Sequence, residues 1–289
     1  MSENWADMMA DRVARASPLA AGRWLFLGAA DTGKTTLLNA LATRLARSRP
    51  VALVDADVGQ SHIGPPTAVG WTVIDSRTPV CPEYHQAQGM AFVGDVTPVG
   101  HLLQLTAALA LCVEQAAWVA DVMLIDTPGL VSGGAACSLW WTVQRLLRPQ
   151  CIIAVQRENE LHDLLNGLQA DVSAIQVIPT PAGLRRKSPE ARREHRRGLF
   201  AQYLRDAATH TLDLSVVAVR MSHKTTPENA AGRVAGLTDA TGHDVAVGVI
   251  ERWRPEKAEA TIRAPRLDME RVRCVTVGDV RIDTSSGWS

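Results

Sequence analysis

The sequence predicts an α/β fold: a doubly wound, mostly parallel sheet followed by a small C-terminal antiparallel β domain. Three observations carry that prediction. Short continuous apolar runs alternate with stretches of helical length through the first two-thirds of the chain. One run ends in a glycine-bounded loop that opens directly into a helix-like segment. After about residue 215 the pattern changes to short alternating segments split by Gly, Pro and Asp-Ala-Thr-Gly.

The strand candidates are RWLFLG, VALVDAD, VMLIDTPG, CIIAVQ and AIQVIPT. Each is apolar throughout and ends in polar or turn residues, as expected of parallel strands covered on both faces. GKTTLLNALATRLARS, GHLLQLTAALALCVEQAAW and LWWTVQRLLRP are the helices between them, long enough to serve as crossovers. The expected organisation is an N-terminal tail over residues 1–20, a large α/β domain over 21–215 and a small β domain over 216–289. The closing TSSGWS reads as a frayed end.

Composition narrows the classes. The chain has 289 residues, 46% of them hydrophobic, and no apolar run approaches the ~18 residues of a spanning helix. The first residues are acidic and lack an apolar core, against a secretory leader. Five scattered cysteines without a Cys-x-x-Cys pair suit reduced thiols, so a cytoplasmic location is expected. Thirty basic residues balance thirty acidic ones, so any polyanion contact has to be local.

The loop Gly28-Ala29-Ala30-Asp31-Thr32-Gly33-Lys34-Thr35 matches G-x-x-x-x-G-K-[ST], with a strand before it and a helix after it. Backbone N–H groups from Gly28 to Thr36 can turn inward around phosphate oxygens, reinforced by the helix dipole. Lys34 would neutralise the β- and γ-phosphates and Thr35 would hold Mg²⁺. Asp31 is unusual there, because a carboxylate repels phosphate. It either faces solvent or turns away toward substrate or metal.

Asp55 and Asp57 close the second strand, at the edge of an open α/β sheet where ligands bind. Spaced i, i+2, they point the same way: one can hold magnesium, the other can take a proton from an attacking hydroxyl. Asp126, at the start of DTPG, suits a magnesium role through water. The same DTPG also resembles the γ-phosphate sensor of a GTP-hydrolysing switch. Two absences oppose a switch: no Asn-Lys-x-Asp follows CIIAVQ, where Gln156 and Arg157 stand instead, and the loop has no second lysine. Finally, LRRKSPEARREHRRGLFAQYL carries seven Lys or Arg from Arg185 to Arg197. Pro189 can open a helix in which Arg192 and Arg196, or Arg193 and Arg197, share a face at i, i+4. Such a face could close on a phosphoryl group or track a nucleic-acid backbone.

Together GAADTGKTT, VDADVGQSHIGPPT, AFVGDVTPVGHLL, IDTPGLVSG and RREHRRGLFAQYL resemble the polynucleotide 5′-hydroxyl kinases of the Clp1/Grc3/Nol9 type, especially their compact archaeal and bacterial members. The likeness runs from about Arg23 to Asp283, and GRVAGLTDATGHDVAVGVI resembles that family's small C-terminal β domain. The resemblance implies transfer of the γ-phosphate of ATP, with Mg²⁺, to a 5′-hydroxyl RNA or DNA end. It implies Lys34 on the phosphates, a metal shell of Thr35, Asp55 and Asp126, Asp57 as the favoured base, and Gln60 supporting the metal or the γ-phosphate. Arg192 and Arg196 match the family's R-x-x-x-R lid, and Asp31 becomes a loop carboxylate on the metal and hydroxyl side. The chain departs from the pattern at Leu130, where eukaryotic relatives carry a Trp that stacks on the terminal nucleotide. His62 and Trp71 are the replacements in view, although core packing is expected of Trp71. Two other readings stay open: a GTP- or ATP-hydrolysing switch or assembly factor, and a non-catalytic ATP-binding scaffold of an RNA-processing complex. No motif selects RNA over DNA, identifies a protein partner or assigns the β domain a role.

Overall fold

The computed structural model describes residues 2–16, 21–78, 86–168, 174–222 and 224–282. Five strands pair in parallel in the order β7 (Ile175–Pro179), β6 (Cys151–Gln156), β1 (Gly22–Leu27), β5 (Val122–Asp126), β2 (Val51–Asp55). They are the five apolar runs of the sequence. Both faces are covered, which is why the runs do not alternate with polar residues. Trp24 and Phe26 of β1 enter one core with helices α1 (Ser2–Ala16) and α2 (Lys34–Ala46). Leu25 and Leu27 enter the opposite core with α3 (Leu102–Ala117), α4 (Gly133–Leu147) and α5 (His162–Leu168).

The structure corrects the expected N-terminal tail. Ala6, Met9, Ala10 and Val13 are buried against α2, the i, i+3, i+4, i+7 spacing of a docked helix face. That stripe is short and set among polar residues, which hides it from an inspection for long apolar runs. Helix α4 also begins earlier than LWWTV suggests, because the small residues of GGAAC are helical. It stops at Leu147, where Arg148 turns left-handed (φ 47°) ahead of Pro149.

Two strands absent from the sequence prediction extend the sheet. β3 (Ala68–Ile74) pairs antiparallel with β2, and β4 (Gly89–Phe92) pairs antiparallel with β3. β4 then meets β11 (Asp244–Arg254) through the Met90–Asp244 pair, where the Asp244 carboxylate accepts the Phe92 N–H at 2.7 Å. One sheet therefore continues into the C-terminal β region. There β10 (Arg233–Asp239) forms a hairpin with β11 and pairs antiparallel with β13 (Val272–Arg281). β12 (Glu259–Ala264) joins β11 to β8 (Ala208–Asp213), also antiparallel. The exception to the expected antiparallel module is β9 (Ala218–Met221), which lies parallel to β13. No hairpin links that pair, so no tight turn imposes opposite directions.

The AFVGDVTPVGHLL motif lies at this junction. His101 Nε2 is 3.2 Å from Asp95 Oδ2 and 3.3 Å from Asp279 Oδ2, tying the loop before α3 to β13. Trp71 packs in the core of β3 and donates its indole N–H to Gln115 at 2.8 Å, so it is no surface for a nucleotide base. Among the described residues no cysteine forms a disulfide, and no helix is long and apolar enough to cross a membrane. Cys81 and the TSSGWS end lie outside the described residues.

If α1 is an integral layer, Val13→Ala should lower unfolding stability by about 1.5–2.5 kcal/mol, the loss of two buried carbon groups and their packing. Denaturant unfolding of the full chain measures it, and an unchanged midpoint would make α1 an ornament.

Candidate active site

The phosphate loop leaves β1 after Leu27 and enters α2 at Lys34. Its glycines are sterically required. A Cβ on Gly28 would lie 2.3 Å from the Val155 carbonyl oxygen, and Gly33 caps α2 at φ 93°. Gly129 of the DTPG segment packs directly on the loop, where an added Cβ would come within 2.5 Å of the Ala30 nitrogen. Spacing alone did not single out Gly129, because its constraint comes from a segment distant in sequence.

Parallel register then brings the acidic groups to the loop. Asp126 lies opposite Phe26 of β1 on one side and opposite Asp55 of β2 on the other. The Thr35 hydroxyl donates to Asp126 Oδ2, and Asp126 Oδ1 accepts the Thr127 N–H at 2.9 Å. Asp57 Oδ1 accepts N–H bonds from Gly59 and Gln60, both at 3.1 Å, while its carboxyl lines the cavity above the loop. Asp55 does not line that cavity. Its two oxygens accept the backbone N–H groups of Asp57 and His62, so it holds the 55–62 turn in shape instead of standing at the front of a metal shell.

Electrostatics follow from this crowding. Burial, then the charge of Asp126, then that of Asp57 push the Asp55 carboxyl well above the usual range. Burial also raises Asp57; Lys34 opposes that rise and Asp126 adds to it. Lys34 itself donates to the carbonyl of Ala29 at 3.0 Å. The loop amides, the Thr35–Asp126 pair and the excess of buried negative charge fit a triphosphate with a divalent cation.

A cavity of about 210 Å³ covers the loop, lined by Ala30 to Thr36, Asp57, Gln60, His62, Leu184, Arg185 and Lys187. Leu184, Arg185 and Lys187 wall it from the segment just before α6 (Pro189–Tyr203). Ser188 caps this helix by accepting the Ala191 N–H at 3.2 Å, and Pro189 occupies its first turn. Arg192 and Arg196 share the half-buried face, whereas Arg193 and Arg197 point outward and pair with Glu190 and Glu194. Arg196 lies near enough to feel the charges of Asp57 and Asp95. Arg192 donates to Asp31 Oδ2 at 2.6 Å, and the same oxygen accepts the Lys187 N–H at 2.9 Å. Asp31 therefore turns toward the lid, away from the metal and hydroxyl side where the resemblance had put it. It also adopts φ 58°, and its own carbonyl accepts from Arg157.

Lys187, whose ammonium reaches Gln60 at 3.5 Å, belongs to the site although only the general basic run marked it in the sequence. His62 lines the cavity, with its ring centroid 6.3 Å from that of His195 on the lid. His195 is held toward its neutral form by burial first and then by Lys187 and His62. Leu130 packs against the core and its carbonyl accepts the Trp140 indole N–H at 2.6 Å, so it offers no substitute for an aromatic grip. At the tip of β6, Gln156 accepts the Leu161 N–H at 3.1 Å, an internal use of the position where a switch protein reads guanine.

Asp31→Asn should release the lid, with trypsin cutting between Arg185 and Arg197 several-fold faster than in the parent chain. Burial raises the pKa of Asp31, but Arg192 and Lys187 prevail and hold it below its ordinary 3.8. The latch is therefore complete above that value and lost as pH falls through the lowered one. A carboxyl titration by NMR should show Arg192→Gln moving Asp31 back up; no movement would remove Arg192 as its partner.

The family model described as the mRNA cleavage and polyadenylation factor CLP1 P-loop matches residues 28–206. The polyribonucleotide 5′-hydroxyl-kinase of Pyrococcus abyssi is 30% identical over 196 residues, covering 68% of this chain and 54% of the relative. That of Thermococcus kodakarensis is 31% identical over 198 residues, covering 68% and 55%. The chain thus spans about half the length of these relatives. In a solved Clp1p–Pcf11p complex one chain superposes with a TM-score of 0.69 at 13% identity, over 95% of this chain and 77% of that one, a likeness of fold. With its loop, strand tips and lid all inside the matched residues, the chain belongs to the CLP1 P-loop family.

Proposed function

We propose that this chain transfers the γ-phosphoryl group of ATP to the 5′-hydroxyl of a polynucleotide. The observation that carries the reading is the meeting of the phosphate loop, Asp57 and the basic lid segment around one cavity. A water-splitting switch has no need of a lid-covered carboxylate aimed at an acceptor. The names of the Pyrococcus and Thermococcus relatives favour an RNA end over DNA.

In this reading the loop amides and Lys34 hold the β- and γ-phosphates. To do so, Lys34 exchanges the Ala29 carbonyl for a phosphate oxygen. Thr35 and Asp126 would hold Mg²⁺, which would supply neutralisation of the phosphate charge. Asp57, its carboxyl raised by burial, accepts the proton of the 5′-hydroxyl. The freed oxygen attacks the γ-phosphorus as the bond to the β-phosphate oxygen breaks. Arg196 neutralises the equatorial oxygens, joined by Arg192 once it leaves Asp31. Asp55 keeps the turn that presents Asp57, and His62 stands on the acceptor side of the cavity.

The test is label transfer from γ-labelled ATP to matched 5′-hydroxyl RNA and DNA oligonucleotides. Lys34→Ala and Arg196→Ala should each cost at least about 100-fold in turnover, in line with lost transition-state charge stabilisation. Asp57→Asn should lose about 10²–10⁴-fold and should flatten the acid limb of the pH–rate profile. That limb lies above the ordinary carboxylate value of 3.8, because activity needs Asp57 deprotonated and burial raises its pKa. Hydrolysis of ATP at equal rate with and without acceptor, and no labelled oligonucleotide, would refute the kinase reading.

A further inference from the structure

We propose that Trp5, on the N-terminal helix α1, forms an aromatic wall against which the base of the bound nucleotide rests. The proposal builds on the nucleotide reading above and adds a residue outside the family match, which begins at residue 28.

Sheet order divides the two sides of the phosphate loop. On the β5–β2 side lie Asp126, Asp55 and Asp57, the groups suited to a cation and an acceptor hydroxyl. The nucleoside half of the ligand is left the other side, over the tips of β6 and β7 and the first turn of α2. Trp5 occupies that place. Its ring atoms Cζ3 and Cη2 lie 3.3 and 3.4 Å from the position a Cβ would take on Gly33, and Pro181 Cδ lies 3.5 Å from the same point. The indole is half-buried, its body packed on the core shared by α1 and α2. Trp5 and Pro181 thus form two apolar walls meeting at the loop glycine that caps α2.

Two further atoms on this side have unmet hydrogen-bonding capacity. Arg157 Nη1 at the β6 tip and Thr180 Oγ1 after β7 are buried without a hydrogen-bond partner among the described residues. Apolar walls beside a strand-tip guanidinium and a hydroxyl that precedes Pro181 in the chain suit a purine or its ribose better than bare phosphate. It also gives α1 a use beyond covering the sheet.

Calorimetric titration of the full chain, with Mg²⁺, uses two probes: ATP and inorganic triphosphate, which has no base. Trp5→Ala should weaken ATP about ten- to a hundred-fold, the range of one lost base–aromatic stack, and leave triphosphate within about twofold. Trp5→Phe should restore ATP binding to within a few-fold of the parent. Trp5→Leu, which keeps the apolar packing if the alanine variant fails to fold, should show the same ATP-selective loss. Equal weakening of both probes would mean that Trp5 merely props Gly33, and no weakening of either would remove it from the site; both overturn the proposal. Lys34→Ala separates this from the underlying reading, since undiminished ATP binding there would sink the phosphate-loop assignment itself.

Discussion

Parallel pairing of β1 with β5, and of β5 with β2, sets the height at which every reactive group stands. Phe26, Asp126 and Asp55 fall in one row across three strands, and neighbouring strands lie only about 4.8 Å apart. The loop leaving β1 therefore begins beside the carboxylates that end the other two. The Thr35–Asp126 hydrogen bond ties the start of α2 to the β5 tip. A one-residue slip in either pairing would turn Asp126 into the opposite face and dissolve the site.

That row concentrates charge. Asp55 and Asp57 have raised pKa values because burial removes water and Asp126 adds repulsion, with Lys34 the opposing cation at Asp57. The lid answers from above with Arg196, Lys187 and Arg192. Asp31 engages Arg192, so a lid guanidinium is held directly beside the phosphate loop. The unusual aspartate in the loop thereby acquires a physical role: it ties the lid to the phosphate loop through Arg192 and the Lys187 N–H.

Legibility differed by the range of the interaction. The loop, the aspartate pair and the arginine helix could be read because each depends on spacing within one element: a glycine before a helix, two residues on a strand tip, arginines four apart. The five parallel strands were equally plain, since burial on both faces leaves continuous apolar runs. α1 escaped notice because its buried stripe, Ala6 to Val13, is composed mostly of small residues. β3 and β4 escaped because AVGWTVI and GMAF are glycine-interrupted, and their strand character comes from pairing with β2 and β11.

The sequence by itself determined the chemistry available: a phosphate cradle, carboxylates at strand ends, an arginine face, and strands that must be sandwiched between helices. Local backbone geometry and side-chain period are enough for that. Only the tertiary structure decided how those groups are shared out. It gave Asp57 the cavity and Asp55 the turn, aimed Asp31 at the lid, buried Trp71 in the core and set Trp5 against Gly33. Each of those outcomes depends on which distant segment comes within a few ångströms, and sheet register and helix docking set that distance where no local pattern can.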